Sequence, residues 1–264
     1  MTTADAPEFA TPPPSRRRRI AGFGIVLIAL AVMGSLYAGL APHGTAAGTD
    51  NTQIQQGRAL FLQGCATCHG LNGQGGVRAP SLIGVGAAAV DFQVGTGRMP
   101  LQDHGPEAPV HPVTYSESEI EQMAAYVASL GPGPAIPTNL DYQSADTAFG
   151  GALFRTNCAQ CHNFSGSGGA LTYGKFAPTL SDATPKQIYE AMITGPENMP
   201  VFGDQQITPD QKLAIINYIR TLKTQPDPGG AALGRVGPVS EGVVGWLVGI
   251  GVLVLATLWI GSRS

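Results

Sequence analysis

The sequence predicts a mainly α-helical protein. Two tandem copies of one small helical domain are expected between an N-terminal and a C-terminal transmembrane helix. Three observations carry this expectation. Cys65-Ala66-Thr67-Cys68-His69 recurs 93 residues later as Cys158-Ala159-Gln160-Cys161-His162. Residues 20–41 and 242–261 are uncharged, apolar runs. Each copy also closes on a helix-start signature, Ser116 with Glu119 in the first and Thr208 with Gln211 in the second.

Composition agrees with a membrane-attached, loop-rich chain. Its 264 residues suit about two domains. Only 12% are charged, while Gly 36 and Pro 21 are high. The net charge of −3 is unevenly spread, because residues 42–241 hold 10 Lys/Arg against 16 Asp/Glu. A nucleic-acid-binding domain needs a basic patch on its folded surface. No such footprint is present, so nucleic acid is not an expected partner.

Residues 1–19 read as a cytoplasmic, disordered basic tail, with Pro12-Pro13-Pro14 and then Arg16 to Arg19. Residues 20–41 follow as a transmembrane helix or signal anchor. Such a helix rises about 1.5 Å per residue and reaches across the ~30 Å hydrocarbon core. A signal peptide has the same order of parts, but its apolar region usually holds about 7–15 residues. A retained anchor is therefore favoured over cleavage near Ala41. The arginines before the span place the N-terminus in the cytoplasm. The second span, 242–261, carries Trp246 and Trp259 near its ends, where interfacial aromatics are expected. Arg263 just beyond it points to a cytoplasmic C-terminus as well. The segment between the spans then lies outside the cytoplasmic membrane.

That segment is an internal duplication, with copies at 50–130 and 141–224. Gly57-Arg58-Ala59-Leu60-Phe61 aligns with Gly150-Gly151-Ala152-Leu153-Phe154. Ala79-Pro80-Ser81-Leu82 aligns with Ala177-Pro178-Thr179-Leu180, Met99-Pro100 with Met199-Pro200, and Tyr126 with Tyr218. The first copy carries an insertion after its Met-Pro, Leu101 to Val113, containing His104 and His111. Residues 131–140 form a Pro/Gly linker, expected to be a semi-stiff spacer. Residues 225–241 are a second linker.

The two pentapeptides contain all four cysteines. Cys-x-x-Cys-His is the attachment signature of c-type haem, in which two thiols bond the porphyrin and the histidine ligates the iron. The competing readings are a four-thiolate zinc site and two redox disulfides. Neither needs a histidine after both second cysteines. Two motifs imply two covalently attached haems c, through Cys65, Cys68, Cys158 and Cys161, with His69 and His162 as axial ligands. Methionine is the usual partner of histidine in cytochromes c. In the second copy Met199, in a loop braced by Pro200, is favoured over Met192, which reads as core. In the first copy the repeat selects Met99 over His104 and His111, which read as solvated loop histidines or a docking surface. Met123 falls inside a helix and reads as core. Pro80 and Pro178 are expected to offer carbonyls to the axial histidines. Arg78, Arg98 and Lys175 are candidates for haem propionates, with a solvated role an equal alternative. Gly73-Gln74-Gly75-Gly76 lacks the lysine of a phosphate loop. Glu117, Glu119 and Glu121 are explained by the helix dipole.

With these motifs the copies resemble class I cytochrome c domains. The whole chain resembles the dihaem cytochrome c subunit of actinobacterial cytochrome bc complexes. That resemblance implies quinol–cytochrome c reductase activity, proton-translocating in the complex as a whole, with this chain as the electron carrier. It implies a cytochrome b subunit, a Rieske iron–sulfur subunit and an aa-type cytochrome c oxidase as partners. Electrons would pass from the Rieske centre through both haems to the oxidase. The expected location is the cell membrane, multi-pass, with the haem domains extracytoplasmic. The alternatives are a dihaem subunit of another oxidase or membrane dehydrogenase, and a haem sensor with an open iron position.

Overall fold

A computed structural model describes residues 16–40, 51–102, 105–225 and 238–263. The chain divides into two compact units, Met1–Gly48 and Thr49–Ser264. The expectations for residues 1–15, the region around Ala41, His104 and residues 226–237 lie outside the described residues.

The first unit contains helix α1, Arg16–Leu40. It begins at Arg16 rather than at Ile20, since arginine is a good helix former and nothing in the run breaks the helix. Within α1, Phe23–Ser35 is a described apolar stretch.

The second unit carries the duplication. Its first half contains α2 (Asn51–Gly64), α3 (Ala66–His69), α4 (Ala87–Gly95) and α5 (Glu117–Ser129). The second half contains α6 (Thr147–Asn157), α7 (Ala159–His162), α8 (Pro185–Thr194) and α9 (Pro209–Thr224). Between α7 and α8 lies a small antiparallel hairpin, β1 (Gly169–Ala170) with β2 (Phe176–Ala177), in the register Gly169↔Ala177 and Ala170↔Phe176. Helix α10, Pro238–Gly261, follows. Its stretch Ser240–Gly261 is long and apolar enough to cross a membrane, alone in this among the described residues.

Local chemistry explains the helix starts. Glu119 Oε2 accepts from the Ser116 N–H at 2.8 Å ahead of α5. Gln211 Oε1 does the same for Thr208 at 2.9 Å ahead of α9, with Pro209 at its first position. A third box of the same Thr-Pro-x-Gln form, Thr184 with Gln187, starts α8. Asp146 caps α6 by accepting from the Ala148 and Phe149 N–H groups at 2.9 and 3.0 Å.

In each half the helix before the cysteine motif crosses the closing helix. Helix α2 packs on α5, and α6 on α9. Phe61 stacks on Tyr126 with centroids 5.1 Å apart, and Phe154 on Tyr218 at 5.4 Å. Glycine permits both crossings. A Cβ at Gly57 would stand 1.9 Å from the Gln122 carbonyl oxygen, and one at Gly150 would stand 1.9 Å from that of Ala214. Met123 and Met192 are buried core residues, as their positions predict.

The two halves meet where α4 packs on α8. Lys186 Nζ lies 2.7 Å from Asp91 Oδ2 across this contact. Glu190, one turn further along α8, is fully buried, and neither carboxyl oxygen has a donor. Burial, then the neighbouring Asp91, pushes Glu190 up to about 9, so it stays protonated and uncharged at neutral pH. The 131–140 spacer is not free of the first half. Pro134 accepts from the Ala88 N–H at 3.1 Å, and Gly133 lies against Gly86, with no room for a Cβ on either residue.

Two outcomes follow from this packing. Gly150→Ala should destabilise the second half by about 1–3 kcal/mol, the usual cost of overpacking. Thermal unfolding of the full chain in detergent reads this, and an unchanged midpoint would contradict the crossing. Glu190 has a folded pKa raised above its unfolded value, so its contribution is fully present below the unfolded pKa near 4.5 and is lost as pH rises toward about 9. Glu190→Gln should therefore flatten the stability loss between those pH values. Denaturation of both proteins at several pH values checks the slope, and parallel curves would refute it.

Candidate cofactor sites

Each cysteine motif sits where the first helix of its half ends. The chain leaves α2, turns at Cys65 and enters the single turn α3. Cys68 and His69 N–H groups both bond back to the Cys65 carbonyl, at 3.2 and 3.0 Å. The second half repeats this with Cys161 and His162 on the Cys158 carbonyl, at 3.2 and 2.9 Å. One turn of helix thus gathers two thiols and one imidazole on a short arc.

The imidazoles are oriented alike. His69 Nδ1 lies 2.9 Å from the Pro80 carbonyl oxygen, and His162 Nδ1 lies 3.0 Å from that of Pro178. A carbonyl oxygen only accepts, so Nδ1 carries the proton in both rings. In the neutral ring that tautomer leaves the lone pair on Nε2, the form in which a histidine ligates metal. Burial lowers the pKa of His162, opposed by the Pro178 bond, so the ring is held neutral.

The four thiols are unpaired. Burial, with a smaller part from Cys161, pushes Cys158 up to about 12. Cys65 is raised in the same way, by burial and then Cys68. Both are neutral thiols, not the low-pKa thiolates of redox Cys-x-x-Cys motifs. The two motifs also belong to different halves, and no group of three Cys, His, Asp or Glu side chains among the described residues is placed to hold a metal ion.

The two loop methionines share a core with the cysteines of their own half. Met99 packs with Cys65 against Val94, Ile120 and Met123. Met199 packs against the cluster that includes Cys158 and Met192. The Met99 loop is tied down by Arg98 and Met99 N–H bonds to the Gln93 carbonyl, at 2.9 and 3.0 Å. The Met199 loop is closed by the Met199 N–H on the Pro196 carbonyl at 2.9 Å. In each half, then, the first cysteine of the motif and the loop methionine pack on one apolar cluster, and the adjoining turn carries the second thiol and an imidazole whose Nδ1 faces a proline carbonyl. This donor set fits a covalently attached haem c.

The candidate propionate partners divide. Lys175 Nζ donates to Asn198 Oδ1 at 2.6 Å. Arg98 lies over the Phe92 ring, 5.1 Å from its centroid. Arg78 is exposed. His111 departs from the expected solvated loop histidine. Its backbone N–H bonds the Gly97 carbonyl at 3.1 Å, which folds the insertion back on the Met99 loop. Its Nε2 is buried without a hydrogen-bond partner. The acidic side chains Asp91, Glu107 and Glu197 carry no signal in the sequence, because each meets its partner in the other half.

Comparison with known proteins gives a consistent result. Residues 54–131 match the family described as "Cytochrome c". Residues 145–219 match "Cytochrome C oxidase, cbb3-type, subunit III". A "Cytochrome bc1 complex cytochrome c subunit" of Corynebacterium efficiens is 46% identical, covering 94% of this chain and 90% of the relative. The protein of that name from Corynebacterium diphtheriae is 46% identical over 94% of this chain and 95% of its own length. The one from Mycobacterium tuberculosis is 44% identical, with 94% and 92% covered.

Proposed function

Because the chain belongs to the family of cytochrome bc1 complex cytochrome c subunits, we propose that it is the two-haem electron relay of a respiratory quinol-oxidising complex. The observation that carries this reading is the twice-built arrangement of thiols, a carbonyl-oriented imidazole and a loop methionine.

Cys65 and Cys68 would attach the first haem, with His69 and Met99 as its iron ligands. Cys158 and Cys161 would attach the second, with His162 and Met199 as its ligands. The haems supply one-electron exchange between ferrous and ferric iron. The chain's own residues do the rest. The Pro80 and Pro178 carbonyls fix the imidazole rings and raise their basicity. The thioethers favour the ferrous state, raising the potential. The apolar clusters that hold Cys65 with Met99 and Cys158 with Met199 would supply a low-dielectric surround for each haem.

The partners in this reading are a cytochrome b subunit, a Rieske iron–sulfur subunit and an aa-type terminal oxidase. The first half takes electrons from the Rieske centre and the second passes them to the oxidase. Proton translocation belongs to the complex as a whole. Helices α1 and α10 both cross the membrane, which leaves the two halves extracytoplasmic and both termini cytoplasmic. A dihaem subunit of a different oxidase is the second reading, favoured by the match of residues 145–219 to an oxidase subunit family.

Purification through a tag on this chain in mild detergent separates the readings. Haem b, a Rieske signal and haem a are expected to travel with two haems c per chain. Copurification with an oxidase lacking haem b and the Rieske signal would support the second reading instead. Met199→Ala should open the second iron to carbon monoxide and block oxidase reduction by quinol, while the first haem still reduces. If the first haem also stayed oxidised, the order of transfer would be reversed.

A further inference from the structure

The insertion Leu101 to Val113 has no counterpart in the second half, and its described part reaches across the molecule. The Glu107 carboxylate accepts from the Phe176 N–H, at the start of β2. In the opposite direction, Glu197 Oε1 accepts from the Ala108 N–H at 3.2 Å. Pro106 lies under Gly174, its Cγ 4.0 Å from where a Cβ of that residue would stand. Ala108 is buried by these contacts. Arg98, which lies over the Phe92 ring, is within electrostatic reach of both carboxylates, Glu197 more strongly than Glu107.

The positions of these residues give the contact its meaning. Arg98 precedes Met99. Glu197 is two residues from Met199, in a left-handed backbone conformation (φ 57) that a glutamate seldom adopts. Lys175, next to Phe176, bonds Asn198 in the same loop. The insertion thus joins the two methionine loops through carboxylate–amide bonds, which are charge-assisted and directional. The α4–α8 contact, with Lys186 on Asp91, holds the halves together at a second place. Two separate attachments remove the hinge freedom that one would leave.

We propose that Glu107 and Glu197 are positioning residues, which clamp the insertion of the first half onto the hairpin and methionine loop of the second and so hold the two haem sites at one fixed separation. This rests on the two-haem reading above. Transfer between the sites moves one electron, oxidising one iron from ferrous to ferric and reducing the other from ferric to ferrous. The clamp takes no part in that exchange and governs only its geometry.

The test compares the full chain in its native complex with two double variants. Glu107→Gln with Glu197→Gln keeps a carbonyl acceptor at each site but removes the charge. Glu107→Ala with Glu197→Ala removes both. Amide hydrogen exchange over 105–113 and 171–177 should accelerate about tenfold in the alanine pair, as expected for losing hydrogen bonds to charged acceptors, and less in the glutamine pair. The iron–iron distance distribution from pulsed electron paramagnetic resonance should broaden in the same order. Haem content and the methionine-ligation band of the ferric protein should not change. Unchanged exchange in both pairs would overturn the clamp, and faster exchange with an unaltered distance distribution would overturn its positioning role. Should the alanine pair fail to assemble, the glutamine pair decides by the same two readouts. A haem count other than two in the parent protein would instead defeat the two-haem reading, and the exchange experiment would still report on the clamp.

Discussion

The close crossing of two helices in each half governs everything built on it. At Gly57 and Gly150 the partner backbone approaches to a distance that leaves no space for a Cβ. This approach lets Phe61 reach Tyr126 and Phe154 reach Tyr218, and it buries Met123 and the isoleucines of the closing helices. The cysteine turn begins where α2 or α6 ends, so the crossing also decides where the thiols and the imidazole stand. A wider crossing would move the attachment turn away from its methionine loop.

Around that frame the polar groups are satisfied in a sparing way. Each motif histidine directs its Nδ1 to a proline carbonyl, offered by a residue without an N–H of its own. The same residue that stops regular structure in the Ala-Pro loop thereby fixes the tautomer of the ring. Lys212 shows the same economy in the core of the second half. Its buried ammonium donates to Asp204 and to the Ile207 carbonyl, at 2.6 and 2.7 Å. A buried charge without such partners would cost several kcal/mol.

The contact between the halves is polar where the cores are apolar. Lys186 with Asp91, protonated Glu190, and the carboxylates of Glu107 and Glu197 give it direction more than strength. An apolar contact of the same extent would tolerate sliding, whereas hydrogen bonds to particular backbone amides do not. The two halves are thereby held in one register rather than free to slide. The 131–140 segment supports it by lying against Gly84 and Gly86 instead of spanning open space.

Much of this was legible in the linear sequence. The paired Cys-x-x-Cys-His motifs, the capping residues Ser116 and Thr208, the Met-Pro loops and the apolar run before Arg263 are short-range signals. Each encodes its structure within a few residues, so no knowledge of distant contacts is needed. The same holds for Met123 and Met192, whose helical positions alone marked them as core. What the sequence left open was how the halves meet. Glu107 and Glu197 bond to the backbone amides of Phe176 and Ala108, 69 and 89 residues away. A backbone amide leaves no mark in residue identity, so no pattern could pair them. His111 looked like a loop histidine because nothing local shows that its backbone N–H bonds the Gly97 carbonyl and folds the insertion back. The repeat and its chemistry were set by local residue type, whereas the union of the two copies was decided only by tertiary packing, which alone brings a carboxylate to an amide far along the chain.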